Sequence, residues 1–483
     1  MNYEMVVYVL LNIAKIEGVL MMIPGIVSLI YGEYNTAKVI LTIAILLAAF
    51  GFIFTLKKPR RLDIFAKDGL FIVGMAWITF SLLGALPFYF TGSINSYVNA
   101  VFETVSGFTT TGSTILTDIE SLPNGILFWR SFTHWIGGMG VLVFVLAIIP
   151  LAGSRSMNIM KAEVPGPTVD KLVPKTKQTA KILYFIYVGL TILQVIFLVA
   201  GKMPLFDSIL TSFSTAGTGG FSNKNNSIAY YDSAYVDGVV TVFMILFGIN
   251  FNLFYLALLK KFKRIFKSEE LRTYIAIIAV STLLITFNIR GMYPSFLKAF
   301  RYASFQVATI ITTTGFMTAD FNVWPMFSKA ILLLLMIVGA CAGSTGGGLK
   351  VSRVLIMVKH IKCEIKRLLH PRAMVSVKID KKTVETSVIS SVLAYLLVYF
   401  SLIVISFLLI SINEFDFETS LTSVITCINN VGPGLGAIVG PTGNFSSFSD
   451  FSKIILCFDM LLGRLEIFPI LLLFSPRMYK RRF

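Results

Sequence analysis

Four short polar segments of this chain carry the groups that could handle a cation: Thr109-Thr110-Thr111-Gly112, Ala216-Gly217-Thr218-Gly219, Thr312-Thr313-Thr314-Gly315 and Asn429-Asn430-Val431-Gly432. Each lies between two apolar stretches of membrane length, and the segments recur roughly every 100 residues. Glycine accepts positive φ and lets backbones approach closely, so successive carbonyls can be aimed at one axis. A ring of such carbonyls replaces the hydration shell of a cation. Threonine hydroxyls add oxygens or brace the loop. None of the four segments holds Asp or Glu, which disfavours a Ca²⁺ or Mg²⁺ path. The Arg or Lys ring of an anion pore is also missing. The chemistry implied is passage of a large, weakly hydrated ion such as K⁺. The plainer alternative is that small residues merely pack helices closely in a membrane. Four loops in equivalent positions favour the pore.

These segments need elements to place them, and the composition says which. Of 483 residues 55% are hydrophobic and 14% charged, with a mean hydropathy of +0.79. Soluble domains carry about 25% charged residues, so much of this surface faces lipid. A span needs about 20 apolar residues. Ten runs qualify, near 5–31, 36–56, 67–91, 126–152, 180–201, 234–259, 272–290, 325–349, 386–411 and 452–475. The net charge of +17 raises nucleic acid as a partner, but its distribution argues against that. Most of the 42 Lys and Arg fall in Lys57–Lys67, Arg155–Lys181, Lys260–Arg272, Lys350–Lys382 and Arg477–Arg482. These segments follow the even-numbered spans, as the positive-inside bias requires. They are expected to be cytoplasmic, with both termini inside, and to anchor on the lipid bilayer. The first apolar run lacks a basic n-region and a cleavage-like site, so no signal peptide is expected. Cys341, Cys363, Cys427 and Cys457 show no metal spacing and read as reduced packing residues.

Asn99 to Gly125 is too short and polar for another crossing and reads as a re-entrant hairpin. Phe206 to Ser222, Ala299 to Ala319 and Phe417 to Gly436 are its analogues. The expected fold is therefore an all-α polytopic membrane protein: two N-terminal helices, then four helix–pore-loop–helix repeats around a pseudo-fourfold pore. The boundaries read 1–60 for the N-terminal extension, then 61–165, 166–266, 267–375 and 376–483 for the repeats.

The eighth span holds Gly339, Gly343, Gly346, Gly347 and Gly348 within ten residues. Each interior glycine costs about 1 kcal/mol relative to Ala, so the helix is expected to break over 339–348. A Gly-rich packing surface is the alternative. Gly343 and Gly348 fit part of a phosphate loop, but Lys350 comes one residue late and Val351 stands at the Ser/Thr place. Gly434, Gly436 and Gly440 make only a near-miss to a dinucleotide fingerprint. Arg464 is an intramembrane charge and hence a functional candidate, or else a local ion pair with Glu466 or Asp459. Glu103, Asp207, Glu418 and Asp450 are placed near the outer mouth as solvated carboxylates. His134 is expected at the interface beside Trp135. His134, His360 and His370 pair with no nucleophile and no metal cluster appears, so an enzyme is not expected.

The chain resembles the Trk/Ktr/HKT superfamily of K⁺ transport proteins, in particular the membrane subunit of bacterial Trk systems. The matching stretches run nearly end to end. They include Leu83-Gly84-Ala85-Leu86-Pro87-Phe88, Ser106-Gly107-Phe108-Thr109-Thr110-Thr111-Gly112-Ser113-Thr114 and His134-Trp135-Ile136-Gly137-Gly138-Met139-Gly140. Glu163-Val164-Pro165-Gly166-Pro167, Gly219-Gly220-Phe221-Ser222, the run from Ala342 to Lys350 and Asn429-Asn430-Val431-Gly432-Pro433-Gly434 complete the set. The two extra N-terminal spans resemble the Trk branch more than the Ktr branch.

The resemblance implies that Gly112, Gly219, Gly315 and Gly432 are filter glycines. The carbonyls of Thr110, Thr111, Thr218, Thr313, Thr314, Asn430 and Val431 would join theirs in lining the K⁺ sites. Val431 and Pro433 depart from the Thr-Gly pattern, which implies an asymmetric ring and a K⁺ preference less stringent than that of four identical filters. The resemblance also implies that the loop with Gly339, Gly343, Ser344, Thr345, Gly346, Gly347 and Gly348 is a gate, with Arg464 facing the pore beside it. It implies a homodimer with one pore per protomer. It further implies a cytosolic nucleotide-binding partner, the Trk/Ktr regulatory subunit, against the basic faces. No nucleotide or redox cofactor is expected on this chain. Coupling to Na⁺ or H⁺ stays open, with Asp459 the one mid-span carboxylate that bears on it.

Overall fold

A computed structural model describes residues 1–59, 66–140 and 176–476, and these are predominantly helical. Among them the strand content is one antiparallel pairing, Lys378–Ile379 with Lys382–Thr383. Six helices among the described residues are long and apolar enough to cross a bilayer: Tyr3–Ile30, Tyr34–Thr55, Asp68–Phe90, Lys181–Ala200, Glu269–Met292 and Thr386–Asn413. They correspond to the first, second, third, fifth, seventh and ninth expected spans.

The sixth, eighth and tenth expected spans are different, because each breaks part-way. The fourth gives the helix Asn124–Gly138, and 141–152 lies outside the described residues. The sixth is Ala234–Phe247 followed, after a 94° bend, by Phe251–Leu258. The eighth ends at Val338, where Gly339 takes φ +71°. The tenth breaks after Arg464, with Glu466 and Ile467 at φ +56° and +67°, and resumes as Phe468–Leu473. The sequence announces only the break at 339–348; those in the sixth and tenth spans are additional. Non-helical backbone at membrane depth survives where protein buries it, and here it abuts four short helices.

Those short helices are Tyr97–Phe108, Leu205–Gly217, Phe296–Ile311 and Phe417–Ile428. None is long enough to cross, so each enters and the chain returns. Ser295 and Asp416 cap the last two through the amides of Lys298 and Thr419, which fixes where the turn into the protein begins. Toward its C-terminal end each helix is buried on nearly all sides, so the four ends meet inside the protein.

The N-terminal pair packs through small residues, with Gly18 against the backbone of Ala44 and Ala48 and Gly51 against Leu11 and Lys15. Its connecting turn also holds the start of the helix Asn124–Gly138. Glu33 accepts the amides of Asn124 (2.6 Å) and Gly125 (3.1 Å), a carboxylate at the positive end of a helix. Two of the basic segments converge on one face, where Lys359 pairs with Glu269 and the Glu269 amide donates to Asp380 Oδ1 at 2.8 Å. Residues 155–175, with the Glu163–Pro167 motif, and 477–482 lie outside the described residues.

Candidate functional site

The four descending helices end in one backbone turn, repeated four times. Thr110, Thr218, Thr313 and Asn430 take φ of +54°, +57°, +56° and +55°. Two residues on, Gly112, Gly220, Gly315 and Gly432 take +84°, +77°, +85° and +98°. Between them the amides of Thr111, Gly219, Thr314 and Val431 reach back to the carbonyls of Ser106, Ser214, Thr309 and Thr426 at 2.8–2.9 Å. A non-glycine residue at positive φ is uncommon, and this one recurs at the same place in every loop.

The register differs from the sequence expectation at one position. In the second loop the glycine equivalent to Gly112, Gly315 and Gly432 is Gly220, while Gly219 stands in the place of Thr111, Thr314 and Val431. The two glycines are adjacent, and only the backbone conformation chooses between them.

The turns also close on one another in order. A Cβ on Gly112 would overlap the Gly219 carbonyl, one on Gly220 that of Thr314, and one on Gly315 that of Val431. One on Gly432 would meet the Thr111 carbonyl at 2.7 Å. First touches second, second third, third fourth, and fourth first. Backbone packed so tightly leaves room for hydrogen only at these four positions. Gly112, Gly220 and Gly315 keep some accessible surface, whereas the threonines around them are buried.

Side chains brace the ring unequally. Thr109 Oγ1 bonds Thr111 Oγ1 at 2.8 Å, and Thr312 Oγ1 bonds Thr314 Oγ1 at 2.7 Å. In the second loop Gly217 replaces that threonine and packs on the His134 carbonyl. In the fourth, Asn429 bonds Tyr399 and the Ile425 carbonyl, and Asn430 Nδ2 reaches Thr111 Oγ1 at 2.9 Å. Ser113 Oγ donates to the Gly432 carbonyl at 3.2 Å.

His134 is not interfacial. It is fully buried, stacked on Phe221 at 4.0 Å and against Gly219, because the fourth span brings it level with the ring ten residues after its start. Glu103 is not a solvated mouth carboxylate either. It is buried, paired with Arg130 at 2.6 Å, and accepts Thr114 Oγ1 (2.9 Å) and the Ile115 amide (3.0 Å). It thus ties the descending helix to the returning strand of chain. Asp207 is likewise buried, bonded to Asn223 and Tyr231, and Glu418 pairs with Lys329 at 3.3 Å. Asp450 is exposed in the first turn of its helix. On the loops above, the Asn225 amide joins Asp118 (2.9 Å) and holds that carboxyl below its ordinary value.

Directly beneath the ring lies the glycine-rich segment of the eighth span. Gly347 N donates to Thr313 Oγ1 at 2.7 Å, and Gly348 N to the Asn429 carbonyl at 3.1 Å. Thr345 bonds the Phe247 carbonyl through Oγ1 at 3.2 Å, and Phe251 N donates to Gly343 O at 3.0 Å. Gly339 folds onto Gly347 and Gly348 so closely that no side chain would fit. Ser344 Oγ caps the Cys341 carbonyl at 2.6 Å, and Lys350 Nζ donates to Gly346 O. Arg464 reaches the segment from the tenth span, donating to Thr345 O at 2.8 Å and to Gly137 O, in the first repeat, at 2.5 Å. Of the carboxylates weighed against it, Glu466 pairs with Arg353 and Asp459 accepts Ser406 Oγ at 2.7 Å. The segment thus contacts the sixth span and the third and fourth turns directly, and the fourth span through Arg464. Lys350 and Gly137 were not expected in this role, and neither stands out by residue type.

Fold and site together define a multi-span membrane protein with a buried ring of backbone turns and a re-entrant loop under it. The family model described as "Cation transport protein", TrkH, matches residues 35–481, and the chain belongs to that family of transporters, which are not enzymes. It is 36% identical over 467 residues to the Trk system potassium uptake protein TrkH of Salmonella typhimurium, covering 95% of this chain and 96% of that one. It is 36% identical over 464 residues to TrkG of Escherichia coli, covering 94% of each. Among solved structures, the potassium transporter TrkH from Vibrio parahaemolyticus matches with a TM-score of 0.88 at 31% identity, over 99% of this chain and 100% of that one.

Proposed function

We propose that this chain moves K⁺ across the bacterial cytoplasmic (inner) membrane as the membrane subunit of a Trk-type uptake system. The observation that carries this reading is the closed cycle of four equivalent turns, each offering carbonyls at the same three places. The filter is then Thr110-Thr111-Gly112, Thr218-Gly219-Gly220, Thr313-Thr314-Gly315 and Asn430-Val431-Gly432, around a pseudo-fourfold axis. The four repeats run 61–165, 166–266, 267–375 and 376–483, after the extension 1–60. Relatives bearing the name potassium uptake protein support K⁺ as the ion.

The segment 339–348 is the gate in this reading. Its hydrogen bonds to Thr313 and Asn429 support a position across the exit of the filter, where Arg464 holds it with a charge that repels cations. The protein works as a homodimer with its termini and basic segments cytoplasmic, where a cytosolic nucleotide-binding subunit engages them. Rb⁺ uptake into proteoliposomes holding the full chain, under an imposed voltage without Na⁺ or pH gradient, tests the proposal. Uptake that K⁺ competes away and Na⁺ barely affects is expected. A Na⁺- or H⁺-coupled symporter is the second reading, supported by one buried oxygen of Asp459 that has no hydrogen-bond partner. Uptake appearing only when such a gradient is supplied would favour it.

A further inference from the structure

The glycine-rich loop is held on the filter side by the turns and by Arg464. On the basic face it is held by a carboxylate that neither reading above uses. Glu270 stands in the first turn of the helix Glu269–Ile289, and its Oε1 accepts the Ala342 amide at 2.7 Å. The backbone amide of Ser352 lies against the same carboxylate. Ala342 and Ser352 bracket the stretch 343–351, so one side chain reaches both of its ends. A loop of glycines has few side chains with which to fix itself, and a carboxylate–amide bond is stronger than a neutral one.

The neighbouring contacts lead outward. The Glu269 carboxylate pairs with Lys359, Lys359 Nζ donates to the Lys378 carbonyl at 2.7 Å, and the Glu269 amide donates to Asp380 Oδ1 at 2.8 Å. Asp380 and Lys381 form the tip of the short hairpin Lys378–Thr383, both at positive φ. Polar contacts thus join an exposed hairpin to Glu269, the chain neighbour of the residue that holds the loop.

We propose that Glu270 is the latch of the intramembrane loop, a positioning residue that keeps the loop closed under the filter and that movement of the hairpin 378–383 releases. The proposal rests on the gate reading above. Its test uses the full chain in proteoliposomes, comparing wild type, E270Q, E270A and G346A for Rb⁺ flux and K⁺/Na⁺ ratio. In G346A a Cβ would crowd Ala340 and the Thr312 carbonyl, so that variant disturbs the loop without touching Glu270. Glutamine keeps an acceptor for Ala342 and alanine does not. The expected result is flux raised about tenfold in E270A, the scale of one hydrogen bond to a charged group, less in E270Q, with the selectivity ratio unchanged in both. Wild-type flux in E270A beside raised flux in G346A overturns the latch and leaves the gate standing. Wild-type flux in both removes the gate reading itself.

A second readout does not depend on transport. Cys341 is buried beside Ala342, and its maleimide labelling, located by peptide mass, is expected to accelerate in E270A and to a lesser degree in E270Q. Cys427, buried in the fourth descending helix, serves as the reference. Equal labelling of Cys341 in wild type and E270A, with Cys427 still protected in both to show that the fold is intact, together with equal flux, overturns the proposal.

Discussion

The ring of turns and the loop beneath it are built on opposite plans. The ring is made four times from the same backbone bonds, with side chains free to vary from Thr109 to Gly217 to Asn429. Among the described residues the loop occurs in the eighth span alone, and it is held by particular side chains: Arg464, Lys350, Thr313 and Glu270. A repeated backbone structure is robust to any single side chain but intolerant of an added Cβ. A singular loop with few contacts of its own is the reverse, since removing one anchor frees it. That difference is what the proposed filter and the proposed gate would each require.

The largest effect is expected where a Cβ enters the ring. Gly220→Ala puts a methyl onto the Thr314 carbonyl at a φ of +77°, in a region that costs an L-residue roughly 1–2 kcal/mol before any overlap is counted. The K⁺/Na⁺ permeability ratio is expected to fall by about tenfold or more, a change of about 1.4 kcal/mol. Gly112→Ser is expected to do the same through the Gly219 carbonyl. An unchanged ratio in Gly220→Ala would move the second filter glycine back to Gly219, and in Gly112→Ser it would remove the first loop from the filter.

Next comes the loop itself. Deleting Gly346 to Gly348 takes away the amides that reach Thr313 and Asn429. Flux is expected to rise with selectivity intact, because the backbone bonds that form the ring itself remain. Unchanged flux would argue against the gate. Arg464→Met is expected to act in the same direction but more weakly. It removes two hydrogen bonds from a charged donor, about 1.5–3 kcal/mol each, yet leaves the remaining anchors. Rb⁺ flux in the three proteins side by side gives the order; Arg464→Met at wild-type flux would make the arginine purely structural.

The ring was largely legible in the sequence because its cause is local. Thr-Thr-Thr-Gly written twice, and glycines recurring between apolar spans, announce a turn that needs positive φ. The break at 339–348 was legible for the same reason. What the sequence hid depends on long-range packing. Gly220 and Gly219 are both glycines, and only contact with the third loop separates them. Glu103 and His134 look solvated or interfacial by position, but pairing with Arg130 and stacking on Phe221 bury them. Glu270 looks like any acidic first-turn residue, since its partner Ala342 is 72 positions away and contributes only a backbone amide. The breaks after Phe247 and Arg464 went unannounced because glycine is not dense at either.

The smallest effect on selectivity is expected from making the fourth loop resemble the first and third. Val431→Thr is nearly isosteric and restores the residue type found at Thr111 and Thr314. In those loops the hydroxyl has a partner, Thr109 or Thr312. In the fourth loop the equivalent residue is Asn429, whose amide is already engaged with Tyr399 and the Ile425 carbonyl. The new hydroxyl would be buried without a partner, which costs about 1–3 kcal/mol. Thermal unfolding in detergent is therefore expected to show Val431→Thr destabilised, with its K⁺/Na⁺ ratio close to wild type. Adding Asn429→Thr supplies the missing partner and is expected to recover part of the loss, provided the vacated Tyr399 hydroxyl finds another acceptor. A ratio that improves in the single variant would mean that side chains, as well as backbone, set the selectivity of this ring.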